Sequence, residues 1–175
     1  MAYPKITVNT GKALAVIASD TIPIPSPDCP EISGTNGTTQ NGKLVDASKD
    51  FITAGVEVGD IVYNTTDNTS ATVTAIDSEF LLTLSANIMA TGENYTIFLN
   101  GPIFDQRIQS SSGCLLYVGA NDLNATKVDV KVETIAGSIV TFNAFPVGEY
   151  LPVQIVKLYA TGTTDISDNN CLAIW

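Results

Sequence analysis

In residues 126–135, TKVDVKVETI, Val128, Val130 and Val132 alternate with Asp129, Lys131 and Glu133. Successive side chains of an extended strand leave opposite faces, so this spacing buries one face and wets the other as a β-strand. The chain turns at Ala136 to Ser138, and SIVTFNAF, residues 138–145, returns as the antiparallel partner. GCLLYVGA, residues 113–120, supplies a strand before this pair, and PVGEYLP leads out of it. In the last stretch Val153, Ile155, Lys157 and Tyr159 take one side of an extended segment, with Gln154, Val156, Leu158 and Ala160 on the other. Gly162 to Asn170 form a polar turn, and Cys171 to Trp175 are expected to close a terminal hairpin as its apolar partner strand.

The first part of the chain has a different character. Residues 3–18 read as an extended arm, in which Ile6 and Val8 alternate with Thr7 and Asn9, and Leu14, Val16 and Ile17 follow Gly11. TIPIPSPDCP then brings Pro23, Pro25, Pro27 and Pro30 close together, which fixes φ and removes backbone donors. Such a segment is a linker or a strap laid on a neighbouring subunit. SGTNGTTQNG, residues 33–42, reads as a flexible loop and a module boundary.

From Lys43 a second module begins. Asp46 is placed to cap one helical turn through ASKDF, with Gly55 at its end. Val56 and Val58 precede a turn at Gly59 and Asp60, a strand runs from Ile61 to Tyr63, and SATVTAIDSEFLLTLS is a hairpin with Asp77 and Ser78 at its tip. One more strand follows Gly92 to Asn94. Short strands separated by turn signals at about eight- to twelve-residue intervals predict a small barrel over residues 43–100. A second boundary falls at residues 100–112.

Charge narrows the function classes. Eight basic against 18 acidic residues give a net charge of −10, which a phosphate backbone would repel, so direct nucleic-acid binding is not expected. Charged residues make up 15% of the chain, against about 25–35% of a freely solvated surface. That shortage fits a surface reserved for other subunits, or a monomer surface rich in Thr, Ser and Asn. No apolar run approaches the ~20 residues of a membrane helix, and the chain reads as a soluble, cytosolically made protein.

Candidate chemistry is sparse. The chain has no histidine, so imidazole triads, Cys and His pairs and imidazole metal sites are absent. Cys29, Cys114 and Cys171 are widely spaced without a CxxC pair, and read as small buried apolar residues. Asp60, Asp67, Asp77 and Glu93 could be assembled into a carboxylate pair, but no flanking aromatics mark a sugar site. Asp165, Asp168, Asn169 and Asn170, and separately Asn64, Asp67 and Asn68, carry oxygen ligands for calcium but lack the EF-hand pattern, and turn chemistry explains them. Gly34 and Gly37 precede no helix and no Lys-Ser or Lys-Thr pair, so they cradle no phosphate. Asn64, Asn68, Asn94 and Asn124 head glycosylation patterns that matter only along a eukaryotic secretory route. No catalytic, cofactor-binding or metal-binding residue is assigned, and the chain is not expected to be an enzyme.

Residues 113–175 carry, in order, LYVG, a Val-rich hairpin, G-x-x-LPV, ATGTT and a closing LAIW. This succession resembles a family of small β proteins of tailed bacteriophages and gene transfer agents, of which head-spike base proteins are one branch, and SDTIPIPSP in the arm fits it as well. Residues 42–98 resemble a module common in phage structural proteins. The resemblance implies an all-β fold: an antiparallel sandwich or barrel formed by the N-terminal arm and strap, residues 1–32, with residues 113–175, and the small β-barrel of residues 43–100 inserted between them. The insertion, and CLAIW in place of a shorter last strand, depart from the compact spike-base form.

The resemblance further implies a non-enzymatic virion component, assembled in the bacterial cytoplasm, that decorates or cements the capsid or seats a head spike or fibre. Its partners would be the major capsid protein or other virion proteins and further copies of itself, as trimers or pentamers; no cofactor, nucleic acid or membrane is expected. Alternatives are a tail, neck or baseplate component, or a host-surface glycan-binding module using Tyr63, Tyr95 and Asp67 of the inserted barrel.

Overall fold

The computed structural model describes residues 11–26, 29–99, 113–165 and 170–175. These residues are all-β, with twelve strands in three antiparallel sheets.

The largest sheet has six strands. They are β2 (Glu31–Thr35), β3 (Lys43–Val45), β4 (Ile61–Asn64), β5 (Thr69–Ser78), β6 (Leu81–Leu84) and β7 (Asn94–Phe98), in the order β2-β7-β4-β5-β6-β3. The sheet curls around a core that includes Leu44, Phe51, Val62, Val73, Leu82, Tyr95 and Ile97. Its two end strands are drawn together by the fully buried Asn36. Asn36 Oδ1 accepts from Val45 N–H at 2.7 Å, and Nδ2 donates to the carbonyls of Thr38 and Ala90 at 3.1 and 2.9 Å. Beside it Gly37 N–H donates to Val45 C=O at 2.7 Å, so one side-chain bond and one backbone bond join the two ends of the sheet.

Two local expectations are corrected here. Residues 33–35 are strand, not flexible loop, because Gly34 lies opposite Tyr95 in the β2–β7 ladder. A Cβ at Gly34 would overlap both the Tyr95 hydroxyl and the Asp46 carboxylate, so the glycine serves close packing rather than flexibility. The sheet accordingly starts at Glu31, ahead of the expected Lys43. The second correction concerns the helical turn, which is capped by Asp50 rather than Asp46. Asp50 Oδ1 accepts from Thr53 N–H at 2.9 Å. The turn ends in a Schellman motif at Gly55 (φ 82°), with Val56 N–H bonded to Phe51 C=O and Gly55 N–H to Ile52 C=O. Asp46 instead closes an Asx turn onto Ser48.

The remaining strands form two three-stranded sheets. In one, β12 (Leu172–Ile174) lies between β1 (Ala13–Ala15) and β8 (Leu115–Tyr117). In the other, β9 (Lys127–Thr134) lies between β10 (Ile139–Pro146) and β11 (Ile155–Leu158). Val128, Val130 and Val132 of β9 are buried in a core shared with Leu116, Leu151, Ile155, Leu158 and Ala173.

The expected terminal hairpin does not form. β11 pairs with β9, while β12 pairs with β1 and β8. Tight hairpins use loops of about two to five residues, and the polar link between these strands is longer. That link grips β9 instead: Thr163 and Thr164 accept the N–H groups of Lys131 and Asp129 through their hydroxyls at 3.0 and 2.9 Å. A bulge between Ile155 and Lys157 also breaks the expected alternation, so Ile155 and Leu158 both point inward.

The proline-rich segment lies on its own chain. Ser19 N–H bonds to Leu158 C=O and Ile24 N–H to Val156 C=O, so residues 19–24 run along the outer edge of β11. Asp20 accepts from the Thr161 N–H and hydroxyl at 2.9 and 2.6 Å. Ile17, Ile22 and Cys29 then pack on Ile61, Tyr63 and Phe98 of the six-stranded sheet. The strap reading is corrected for these residues, since backbone acceptors on β11 are already within reach of the same chain. Ile6 and Val8 of the arm, and Pro27, lie outside the described residues.

Candidate functional site

The three thiols are placed where they are poor nucleophiles. All three cysteines are buried, and none is joined in a disulfide. Desolvation pushes the Cys114 thiol up to about 12 and the Cys171 thiol up to about 11, and raises Cys29 as well. A thiolate, the reactive form, is therefore suppressed at all three.

Among the carboxylates, Asp60 is buried and accepts Glu57 N–H at 2.8 Å, closing the turn before β4. Asp77 accepts from Lys43 and from the Thr83 hydroxyl, and both hold its carboxyl below the usual range. Asp67 and Glu93 are brought together. Hydrogen bonding with Glu93, and then the Glu93 charge, raise the exposed Asp67 carboxyl.

The oxygen-rich stretch at Asn64 to Asn68 resolves as a turn. Asn64 is fully buried; its Oδ1 accepts from Thr66 and Asp67 N–H at 2.9 and 3.1 Å, and its Nδ2 donates to Glu93 at 2.8 Å. Asn68 takes the left-handed conformation at φ 57° that ends this turn. Asp165 receives Asp122 N–H, and Asn170 donates to Asn121. Asp168 and Asn169 lie outside the described residues. Among the described residues no three Cys, Asp or Glu side chains converge as metal ligands.

The aromatic residues proposed to stack on sugar are inside the protein. Tyr63 packs edge-on against Phe98 at 5.1 Å between centroids, and Tyr95 packs against Phe51 at 6.4 Å. Both are at most 3% exposed, and burial raises both phenols, so neither ring can meet a ligand. The glycan reading through Tyr63, Tyr95 and Asp67 is thereby corrected: an aromatic residue at alternate strand positions is as readily core as platform.

Large apolar groups in solvent lie elsewhere. Ile52, Val58 and Phe80 are exposed on the six-stranded body, Tyr150 stands beside Tyr117 with ring centroids 5.5 Å apart, and Ile139 and Val140 are exposed on β10. Residue type did not single them out: Ile52 and Val58 lie in the turns before β4, Phe80 at the β5–β6 tip, and Ile139 and Val140 on a strand that ends its sheet. Comparisons of the chain with protein-family models, with curated proteins and with solved structures find no match.

Proposed function

We propose that the protein is a non-enzymatic structural component of a tailed-phage virion, one that decorates or cements the capsid or seats a head spike or fibre. The observation that carries this reading is the division of its side chains. Thiols are buried and several carboxylates fix turns, while Ile52, Phe80, Ile139 and Val140 stand in solvent on a surface short of charge. Exposed apolar groups of this kind suit contacts with other subunits. Burying them across capsomer junctions contributes about 25 cal/mol per Å² before association costs, which opposes the outward strain of packaged DNA. The net charge of −10 suits an outer surface, away from that DNA. Symmetric self-association is part of the proposal.

The test is dissociation of virions that carry the chain into heads and tails, followed by copy counting in each fraction by mass spectrometry. Hundreds of copies on heads support decoration or cementing. A few dozen or fewer, travelling with tails or isolated vertices, overturn cementing and favour a spike base, neck or baseplate part.

A further inference from the structure

The β10 strand ends its sheet, and among the described residues it is paired on one side only. Natural edge strands are protected by charge, proline, bulges or brevity. This one is eight residues long, and residues 134–148, which include it, carry no charged side chain. Its bulge, between Phe142 and Phe145, and its one proline, Pro146, both lie beyond the regular stretch Ile139 to Phe142.

The hydrogen-bonding groups of that stretch can be assigned. Lys131 directs its N–H to Thr163 Oγ1 and its C=O to Tyr159 N–H, both on the β11 side. Thr141 stands opposite Lys131, so this is a pair without mutual hydrogen bonds, and the Thr141 N–H and C=O turn outward. Two residues earlier, those of Ile139 do the same. Val140 shares the core-facing side with its cross-strand neighbour Val132, yet Val140 is 39% exposed and Val132 fully buried. Among the described residues the apolar row therefore runs off an open edge.

We propose that this edge is where two copies of the chain meet, with β10 antiparallel to β10 of the second copy about a two-fold axis at Val140. Ile139 of one copy and Thr141 of the other exchange N–H···O=C bonds, and the two Val140 side chains close the apolar row over each other. A second copy matches this edge in register, because the outward-turned groups of Ile139 and Thr141 lie symmetrically about Val140, and charge does not oppose the match. At a net charge of −10, copies repel over most of their surface, whereas the β10 edge places no like charges opposite one another. The other edge of the same sheet is covered by residues 19–24, so the sheet cannot grow head to tail and the pair is closed. Rings of three or five would need a second, different contact. The pairing does not rest on the virion reading.

The test is sedimentation equilibrium of the full chain from micromolar to near-millimolar concentration, with Val140→Lys and Thr141→Pro alongside. Wild type is expected at twice the 18.4 kDa of one chain, and both variants at 18.4 kDa. Proline at 141 removes an outward N–H and leaves the β9 ladder intact, so its far-UV circular dichroism should match wild type, and its thermal transition should stay cooperative but lose the concentration dependence that pairing gives wild type. Wild type that stays monomeric, or that assembles only into odd-numbered rings, overturns the proposal, as do folded variants that remain dimeric. Should a variant not fold, amide exchange of wild type decides. Protection of Ile139 and Thr141 that rises with concentration supports the pairing, and fast exchange at every concentration overturns it.

Discussion

Tyr95 donates its hydroxyl proton to Asp46 Oδ2 over 2.7 Å, in the space that a Cβ on Gly34 would fill. Three residues far apart in sequence thus fix how tightly the six-stranded sheet curls. Tyr95→Phe should destabilise the protein by about 1.5–3 kcal/mol, the range for a hydrogen bond to a charged group, measured by urea unfolding. Gly34→Ala should cost more on its own, because its methyl displaces that bond. Removing the hydroxyl makes room for the methyl, so the double variant should cost less than the sum. Strict additivity would show that Gly34 acts through something else.

The same pair sets opposite pH limits. Burial works to raise the Asp46 carboxyl, but hydrogen bonds from Ser48 and Tyr95 outweigh it and hold the group below 3.8. Its contribution is present above pH 3.8 and lost as pH falls through the lowered folded value. The Tyr95 phenol is raised above 10.0, first by burial and then by Asp46. Its contribution is present below pH 10.0 and lost as pH rises through the raised folded value. Plotted against pH, the difference in urea midpoint between wild type and Tyr95→Phe should form a plateau that falls at both ends. A difference flat across both limits would contradict the ionic character of the link.

Asn36 ties the end of β2 to β3 through Val45, beside the backbone bond from Gly37. Asn36→Ala would leave Val45 N–H and the Thr38 and Ala90 carbonyls without their partner, at about 1–3 kcal/mol for each group left buried. Accelerated amide exchange at Val45, ahead of global unfolding, is the expected signature.

How much of this was legible in the sequence depended on whether the signal was local. Val128, Val130 and Val132 announced both the strand and its buried face, because period two with one wet side has one extended solution. Ser33 to Thr35 read as loop in the sequence, because a glycine that packs against a tyrosine looks the same there as one that bends a loop. The apolar run at Cys171 to Trp175 did reveal a docked segment, but burial says nothing of which strand it joins. Its partner β1 lies at the other end of the chain. For the same reason Tyr63 and Tyr95 could not be told from surface aromatics. The charge-free stretch 134–148 was visible all along, and only the sheet order places it at an open edge.

The thiols offer a probe of opening. With Cys29, Cys114 and Cys171 buried and their ionisation suppressed, a disulfide exchange reagent at pH 8 should label none of them rapidly in the native protein and all three in denaturant. Rapid native labelling of Cys29 alone would show the contact between the arm and the six-stranded sheet opening by itself.

The strap over β11 carries the last prediction, because it decides whether pairing at β10 stays closed. Asp20 holds Thr161 through both carboxylate oxygens, and Ile24 anchors the segment by its buried side chain and by its N–H to Val156 C=O. Asp20→Ala combined with Ile24→Ala should loosen residues 19–24 and bare the β11 edge. A sheet open at both edges can add copies without limit, so light scattering should show species larger than two chains, growing with concentration. Adding Thr141→Pro to this variant should shrink them again, since growth through both edges needs β10. If the loosened strap leaves the mass at two chains, the β11 edge is protected by something other than residues 19–24.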